Sequence, residues 1–404
     1  MVLAQRILKF FSSRPVFRLC WWLWLVPVAQ PLPAQALLVG YARLPADTFR
    51  PGPPATNVRA RWYRSPAARW DSQPVQGISS LRPAPDGTFW ALSDNGFGAR
   101  ANSATYLLCI YRLRINWRTA DGGPGTVELL EVVELKDPGR KAGFAITREW
   151  DRDRRLTGAD FDPESLEIGP AGNFWIGDEF GPWLLLFSKE GELLAPPIPA
   201  AVEREDRIRL IKSPDRSAWF RADLLRSRGF EGLTWHPGRA KFFLMPEGSL
   251  RGDPADRLRI FEYSPGAPHA RAISWRYPLE AAEHSIGELT WWPQGNCFLV
   301  LERDWGHGAG AAFKKVFAWQ PAAGNAVKWE LADLMDMDDP HHLADTTGKF
   351  ALPYVTIEAV HPVDDRTLIV CNDNNFPARG GRSIEALDGT EFVLLQVDLK
   401  SKRR

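Results

Sequence analysis

Cysteine is scarce, with four residues in 404, no CxxC pair and no zinc-type spacing. Cys20 lies in an N-terminal leader, while Cys109, Cys297 and Cys371 sit inside apolar runs. An odd number excludes a full disulfide framework. One bridge stays open, but free buried thiols packing as small hydrophobes are the favoured reading. Excess charge is also missing: 50 Lys and Arg against 49 Asp and Glu leave a formal net charge of +1. That argues against a broad basic field for nucleic acid and against an acidic tail. There is no G-x-S-x-G, P-loop, dinucleotide fingerprint or EF-hand loop, which disfavours nucleophile-elbow serine chemistry and nucleotide binding. Beyond the leader, no apolar run is long enough to span a bilayer.

The leader comprises residues 1–36. Arg6, Lys9, Arg14 and Arg18 precede the short apolar run "LCWWLWLVPVA" and the A-x-A pattern Ala34-Gln35-Ala36. This order predicts a secretory signal peptide cleaved after Ala36, an export destination in the periplasm, envelope or exterior, and no stable span after cleavage. Residues 401–404 read as a basic, solvated tail.

The remaining chain, 37–400, repeats one unit of strand, tight turn and strand. The windows are "GISSLRPAPDGTFWALSDNG", "DPESLEIGPAGNFWIGDEFGP", "GFEGLTWHPGRAKFFLMPEG", "IGELTWWPQGNCFLVLERDWG" and "IEAVHPVDDRTLIVCNDNNF". Long-period self-similarity signals a repeat architecture. Pro presets φ and Gly supplies positive φ in the turns, and the strands are rich in Phe, Trp, Ile, Leu and Val. Groups of four strands begin near 77, 163, 230 and 286. A fifth near 355 lacks an obvious fourth strand, which "LLVGYARL" at the mature N-terminus could supply. The expected fold is all-β, a β-propeller of five or six four-stranded blades with the ring closed by the chain ends. A weak sixth blade within 136–228 stays open, as does a short helix at "AWFRADLLRSRG".

An antiparallel hairpin returns to where it began, so acids before its first strand and after its second share one face. The lead acids are Glu164, Glu231, Glu288 and Glu358, with Ser79 in the first window. The second set is Asp94, Asp178 or Glu179, Glu247, Glu302 and Asp373. Convergent carboxylates repel one another, and a divalent cation relieves that repulsion. An all-oxygen set, with Asn95, Asn372, Asn374 and Asn375 nearby, favours Ca2+, with Mg2+ as the alternative. The competing reading has each glutamate capping its own blade. Arg303 could hold an anion in bidentate fashion, and His307 could act as acid or base. Lys314 and Lys315 open the following strand with alternating faces, and His341-His342 reads as surface.

These windows resemble the phytase-like family, "esterase-like activity of phytase". The carriers are "GISSLRPAPDGTFWALSDNG", "DPESLEI", "FWIGDEFGP", "GFEGLTWHP" and "EALDGTEFVLLQVDL". The resemblance implies an exported propeller related in concept to calcium-dependent phytases. "FEGLTW" is also similar to the metal-binding glutamate strand of gluconolactonase-type propellers. The leading expectation is a monomeric, metal-dependent hydrolase of a small ester, with phosphoesters first. Glu231, Arg303 and His307 would be catalytic. The alternatives are a non-catalytic envelope propeller binding a ligand or partner, and a lactonase.

Overall fold

The computed structural model describes residues 36–58, 67–204, 207–322, 326–345 and 347–398. Most of the leader, residues 59–66 and the 401–404 tail lie outside them. The described chain is all-β. Its only helical pieces are three-residue 3-10 turns at Trp219–Arg221, Pro237–Arg239 and Gly308–Gly310.

The strands pair as successive antiparallel meanders. The first runs through Ile78–Pro83, Phe89–Ser93, Cys109–Asn116 and Thr126–Glu134. The second comprises Pro163–Ile168, Phe174–Asp178, Trp183–Phe187 and Ile198–Arg204. The third is Phe230–His236, Lys241–Pro246, Arg257–Tyr263 and Ala270–Pro278. The fourth is Ser285–Trp292, Cys297–Arg303, Lys314–Gln320 and Val327–Asp333. The fifth holds Ile357–Pro362, Thr367–Asn372 and Thr390–Gln396. Its fourth strand is the N-terminal Leu37–Leu44, paired antiparallel from Leu37 opposite Gln396 to Leu44 opposite Thr390.

The leading strands of successive meanders pack against one another, and the fifth packs against the first. The five hydrophobic clusters separate along these interfaces. Trp292, Leu299, Val370 and Val393 join the fourth and fifth meanders, and Ile110, Phe174 and Ile176 join the first and second. The leading strands are buried on both faces yet carry polar and acidic residues, as in Pro163–Ile168 and Phe230–His236, whereas second strands such as Lys241–Pro246 and Cys297–Arg303 hold the longer apolar runs. Outer strands such as Thr126–Glu134 alternate with solvent. Cys109, Cys297 and Cys371 are buried and unbridged.

Three details depart from the sequence reading. The fourth strand of the second meander is Ile198–Arg204, whereas Arg207–Leu210 adds a hairpin beyond it. The prolines around it disguise it: only Ile198 and Pro199 pair with the third strand, and from Ala200 onward it pairs with Ala270–Pro278 and with Arg207–Leu210. "AWFRADLLRSRG" forms a single 3-10 turn, because the Asp223 carboxylate accepts from the Lys212 N–H and Arg209 and pins the chain. Gly87 and Gly172 supply positive φ as expected, but the third and fourth hairpins use Ala240 and Asn296 instead. There the paired strand ends, His236 with Lys241 and Trp292 with Cys297, enclose a tighter turn than those of the first two hairpins, Pro83 with Phe89 and Ile168 with Phe174.

Closure by the N-terminal strand has a measurable consequence. Leu38 is fully buried against the fourth and fifth meanders. Leu38→Ala should cost about 2–5 kcal/mol in urea denaturation; a loss below about 1 kcal/mol would mean the strand is not a structural seal.

Candidate functional site

Every leading strand carries a β-bulge at the same place. The register slips between Ile78 and Ser80, Pro163 and Ser165, Phe230 and Gly232, Ile286 and Glu288, and Ile357 and Ala359. The extra residues are therefore Ser79, Glu164, Glu231, Gly287 and Glu358. Bulges re-aim a side chain, and here they gather Glu164, Glu231 and Glu358. One carboxylate oxygen from each lies within 4.8 Å of the other two. Ser79 joins by donating to Glu358 at 3.0 Å.

The second strands supply an outer set. Opposite each pre-bulge residue stand Ser93, Asp178, Pro246, Glu302 and Asn372. The residues that follow are Asp94, Glu179, Glu247, Arg303 and Asp373, and all five line one cavity of about 730 Å³. The fourth meander thus differs at both positions, with Gly287 in place of an acid and Arg303 in place of an acid.

This register explains which expected residues lie elsewhere. Glu288 is one residue past its bulge, so it points away from the cavity. It is fully buried, accepting from Ser80 at 2.8 Å and Arg82 at 3.1 Å. Gly287 could not carry an acid, since a Cβ there would sit 2.1 Å from the Ile357 carbonyl oxygen. Asp178 accepts the Asp162 and Gly181 N–H groups at 2.8 and 2.6 Å, capping its own meander. Glu302 accepts from Tyr277 and Lys328 on the opposite face. His307 receives the Val355 N–H and lies 3.3 Å from Asp388, away from the lining. Lys314 turns inward to Asp304, Lys315 turns out to Glu330 and Asp333, and His341 and His342 are exposed.

Other lining residues come from loops. Asp162 precedes the second meander and receives Asn95 Nδ2 at 2.6 Å. Its place two residues before Glu164 was a readable signal. Asp215, Arg226 and Arg228 come from the 212–228 loop, and Arg100 from the segment after Asp94; no sequence pattern announced them. Among the asparagines, Asn95 and Asn375 line the cavity, whereas Asn372 and Asn374 bond to backbone around Gly389, Gly77 and Asp388.

Arg303 anchors the floor. It is 2% exposed, with Nη2 2.8 Å from Glu247, 3.8 Å from Glu358 and 3.9 Å from Glu231. Burial alone would depress its pKa, but Glu247, Glu358 and Glu231 hold it above the ordinary value. Its Nε and Nη1 have no hydrogen-bond partner among the described residues. The Trp305 ring lies 4.6 Å from the Arg303 guanidinium and 4.4 Å from that of Arg228. Arg228 is itself 3.1 Å from Glu247.

The carboxyls behave as a crowd. Burial, then Asp162, Glu358 and Glu231, push Glu164 well above the usual carboxylate range. Burial, then Glu247 and Glu179, do the same to Glu231. Burial chiefly raises Asp162 to about 7 and Asp373 to about 6. Such a site holds protons unless a cation displaces them.

A family model described as "Phytase-like: Esterase-like activity of phytase" matches residues 73–376. The chain belongs to the phytase-like family. An "Uncharacterized secreted protein" of Arthroderma benhamiae is 27% identical over 184 residues, covering 38% of this chain and 36% of that protein. The chain therefore spans only about a third of that relative's length. Among solved structures, the PQQ-bound aldose sugar dehydrogenase of Streptomyces coelicolor is similar at 10% identity and a TM-score of 0.36. That likeness covers 91% of this chain and 99% of that one. The Dos1 propeller is similar at 12% identity and a TM-score of 0.31, covering 81% and 70%. Neither likeness bears on the chemistry of the cavity. No helix among the described residues is long and apolar enough to cross a membrane.

Proposed function

We propose that this phytase-like protein is an exported, five-bladed propeller that hydrolyses phosphomonoesters at the acidic cavity with a bound divalent cation. The observation that carries the reading is four arginines, Arg100, Arg226, Arg228 and Arg303, lining the same cavity as the convergent carboxylates. A carboxylate ring alone would repel a phosphoester; one interrupted by a buried guanidinium with unpartnered donors has a place for it.

The residues fit a hard cation. Glu164, Glu231 and Glu358 offer oxygen only, from three separate meanders, at mutual distances suited to one ion. When bound, it supplies Lewis-acid polarisation of the ester oxygen. The chain's own groups do the rest. Arg303 and Arg228, stacked on Trp305, orient the phosphoryl oxygens and offset charge developing on them. A cavity carboxylate with a raised pKa accepts the proton of the attacking water and returns it to the leaving oxygen. The P–O bond to water forms as the ester P–O bond breaks.

The test is turnover of a small phosphomonoester by the exported chain with Ca2+ or Mg2+, against carboxylic esters and lactones. Glu231→Gln should lower kcat/KM at least 100-fold while leaving the circular dichroism unchanged. Turnover of lactones alone, or of nothing, would overturn the reading. A binding role is the second reading, favoured by Trp219, 70% exposed, and Phe220, 62% exposed. Both stand on the loop that lends Arg226 and Arg228 to the cavity.

A further inference from the structure

We propose that the cavity holds two divalent cations, with the Glu164 carboxylate shared between them. Two groups of acids converge here, not one. Glu164, Glu231 and Glu358 form the first; Asp162, Glu164 and Glu179 form the second, and within each group the ligand oxygens lie within 4.8 Å of one another. Glu164 belongs to both. The first group is drawn from three meanders by their bulges. The second is local to the second meander, where Asp162 and Glu164 flank Pro163 and Glu179 follows the paired strand.

An independent observation points to a ligand in the second group. Glu179 is 5% exposed, lines the cavity, and its Oε1 has no hydrogen-bond partner among the described residues. A carboxylate oxygen buried this deeply without a donor is costly unless something cationic meets it. Arg303 does not fill that role. Among the described residues its ion pairs run to Glu247, Glu231 and Glu358, and that of Arg228 runs to Glu247, so neither guanidinium pairs with Glu179. Asp162 is already oriented, since Asn95 Nδ2 holds one of its oxygens at 2.6 Å.

Charge points the same way. Nine carboxylates and four arginines line the cavity, a formal deficit of five charges when all are ionised. One divalent cation would leave three uncompensated, and two would leave one. The donors of the second group are all oxygen, so the second ion is of the same hard class, Ca2+ or Mg2+. A pair of cations sharing a carboxylate suits a substrate whose attacking and leaving oxygens both need charge stabilisation, as in displacement at phosphorus. That last step rests on the hydrolase reading; the stoichiometry does not.

The experiment is equilibrium dialysis of the chelator-stripped full chain against Ca2+, with fold checked by near-ultraviolet circular dichroism. The intact protein should bind two ions per chain. Asp162→Asn should bind one, Glu231→Gln one, and Glu164→Gln should lose both high-affinity ions. If Asp162→Asn does not fold, Glu179→Gln tests the same group with a smaller change. A single ion in the unaltered chain, or two ions retained by folded Asp162→Asn and Glu179→Gln, would overturn the proposal. Two ions without turnover of any phosphomonoester would support it while overturning the hydrolase reading. Turnover with one ion would do the reverse.

Discussion

Arg303→Met should destabilise the cation-free protein by about 3–5 kcal/mol at pH 8, as breaking a buried charge network commonly does. The side chain is buried, and removing it leaves Glu247, Glu231 and Glu358 facing one another without their shared guanidinium. Methionine keeps the apolar stem and removes the guanidinium, so the lost term is mainly electrostatic. At pH 5 the penalty should shrink. Glu231 and Glu358 have pKa values raised well above the usual range, by burial first, and protonation relieves their repulsion without Arg303. Urea denaturation at the two pH values reads this directly. A cost below about 1 kcal/mol at pH 8, or an equal cost at both, would show that the cavity does not depend on this charge.

In chelator, the unaltered protein should lose stability as pH rises from about 4 to about 8, and Ca2+ should restore it. Burial chiefly raises Asp162 and Asp178 to about 7, Glu288 to about 7 and Asp373 to about 6. An acid raised in the folded state binds its proton more tightly there than in the unfolded chain. Its stabilising contribution is therefore complete below the ordinary carboxylate range and is lost as pH rises through the folded value. A group contributes about 1.4 kcal/mol for each pH unit between its ordinary and its folded value, so a single acid raised from about 4 to about 7 already gives a fall of about 4 kcal/mol. Ca2+ at 100 times its Kd would return about 2.7 kcal/mol per independent site. The gain should be larger at pH 8 than at pH 5, because protons compete for the same oxygens. Glu231→Gln should halve the calcium response or more. Thermal melts across pH with and without Ca2+ check all of this; a protein as stable at pH 8 as at pH 5, and indifferent to Ca2+, would refute it.

The repeated unit is legible in the chain alone. Strand composition, Pro-Gly turns and their spacing specify five hairpins in series, and the apolar, alternating "LLVGYARL" was a visible candidate to complete the last meander. It also placed acids at both ends of those hairpins, because a hairpin must bring its ends together. Which acids meet depends on the registers of the folded strands. In "FEGLTW" the glutamate is the bulged residue, whereas in "IGELTW" the bulge falls on Gly287 and Glu288 stands one position later. Successive strand residues face opposite sides, so that single step moves Glu288 from the cavity to Arg82. The same parity separates Glu179 from Asp178 and Arg303 from Glu302. A bulge is a property of two paired strands and leaves no mark in either one read alone. Asp215, Arg226 and Arg228 were hidden for a different reason: they reach the cavity from a long loop whose path is set by packing and by Asp223, not by any period in the chain.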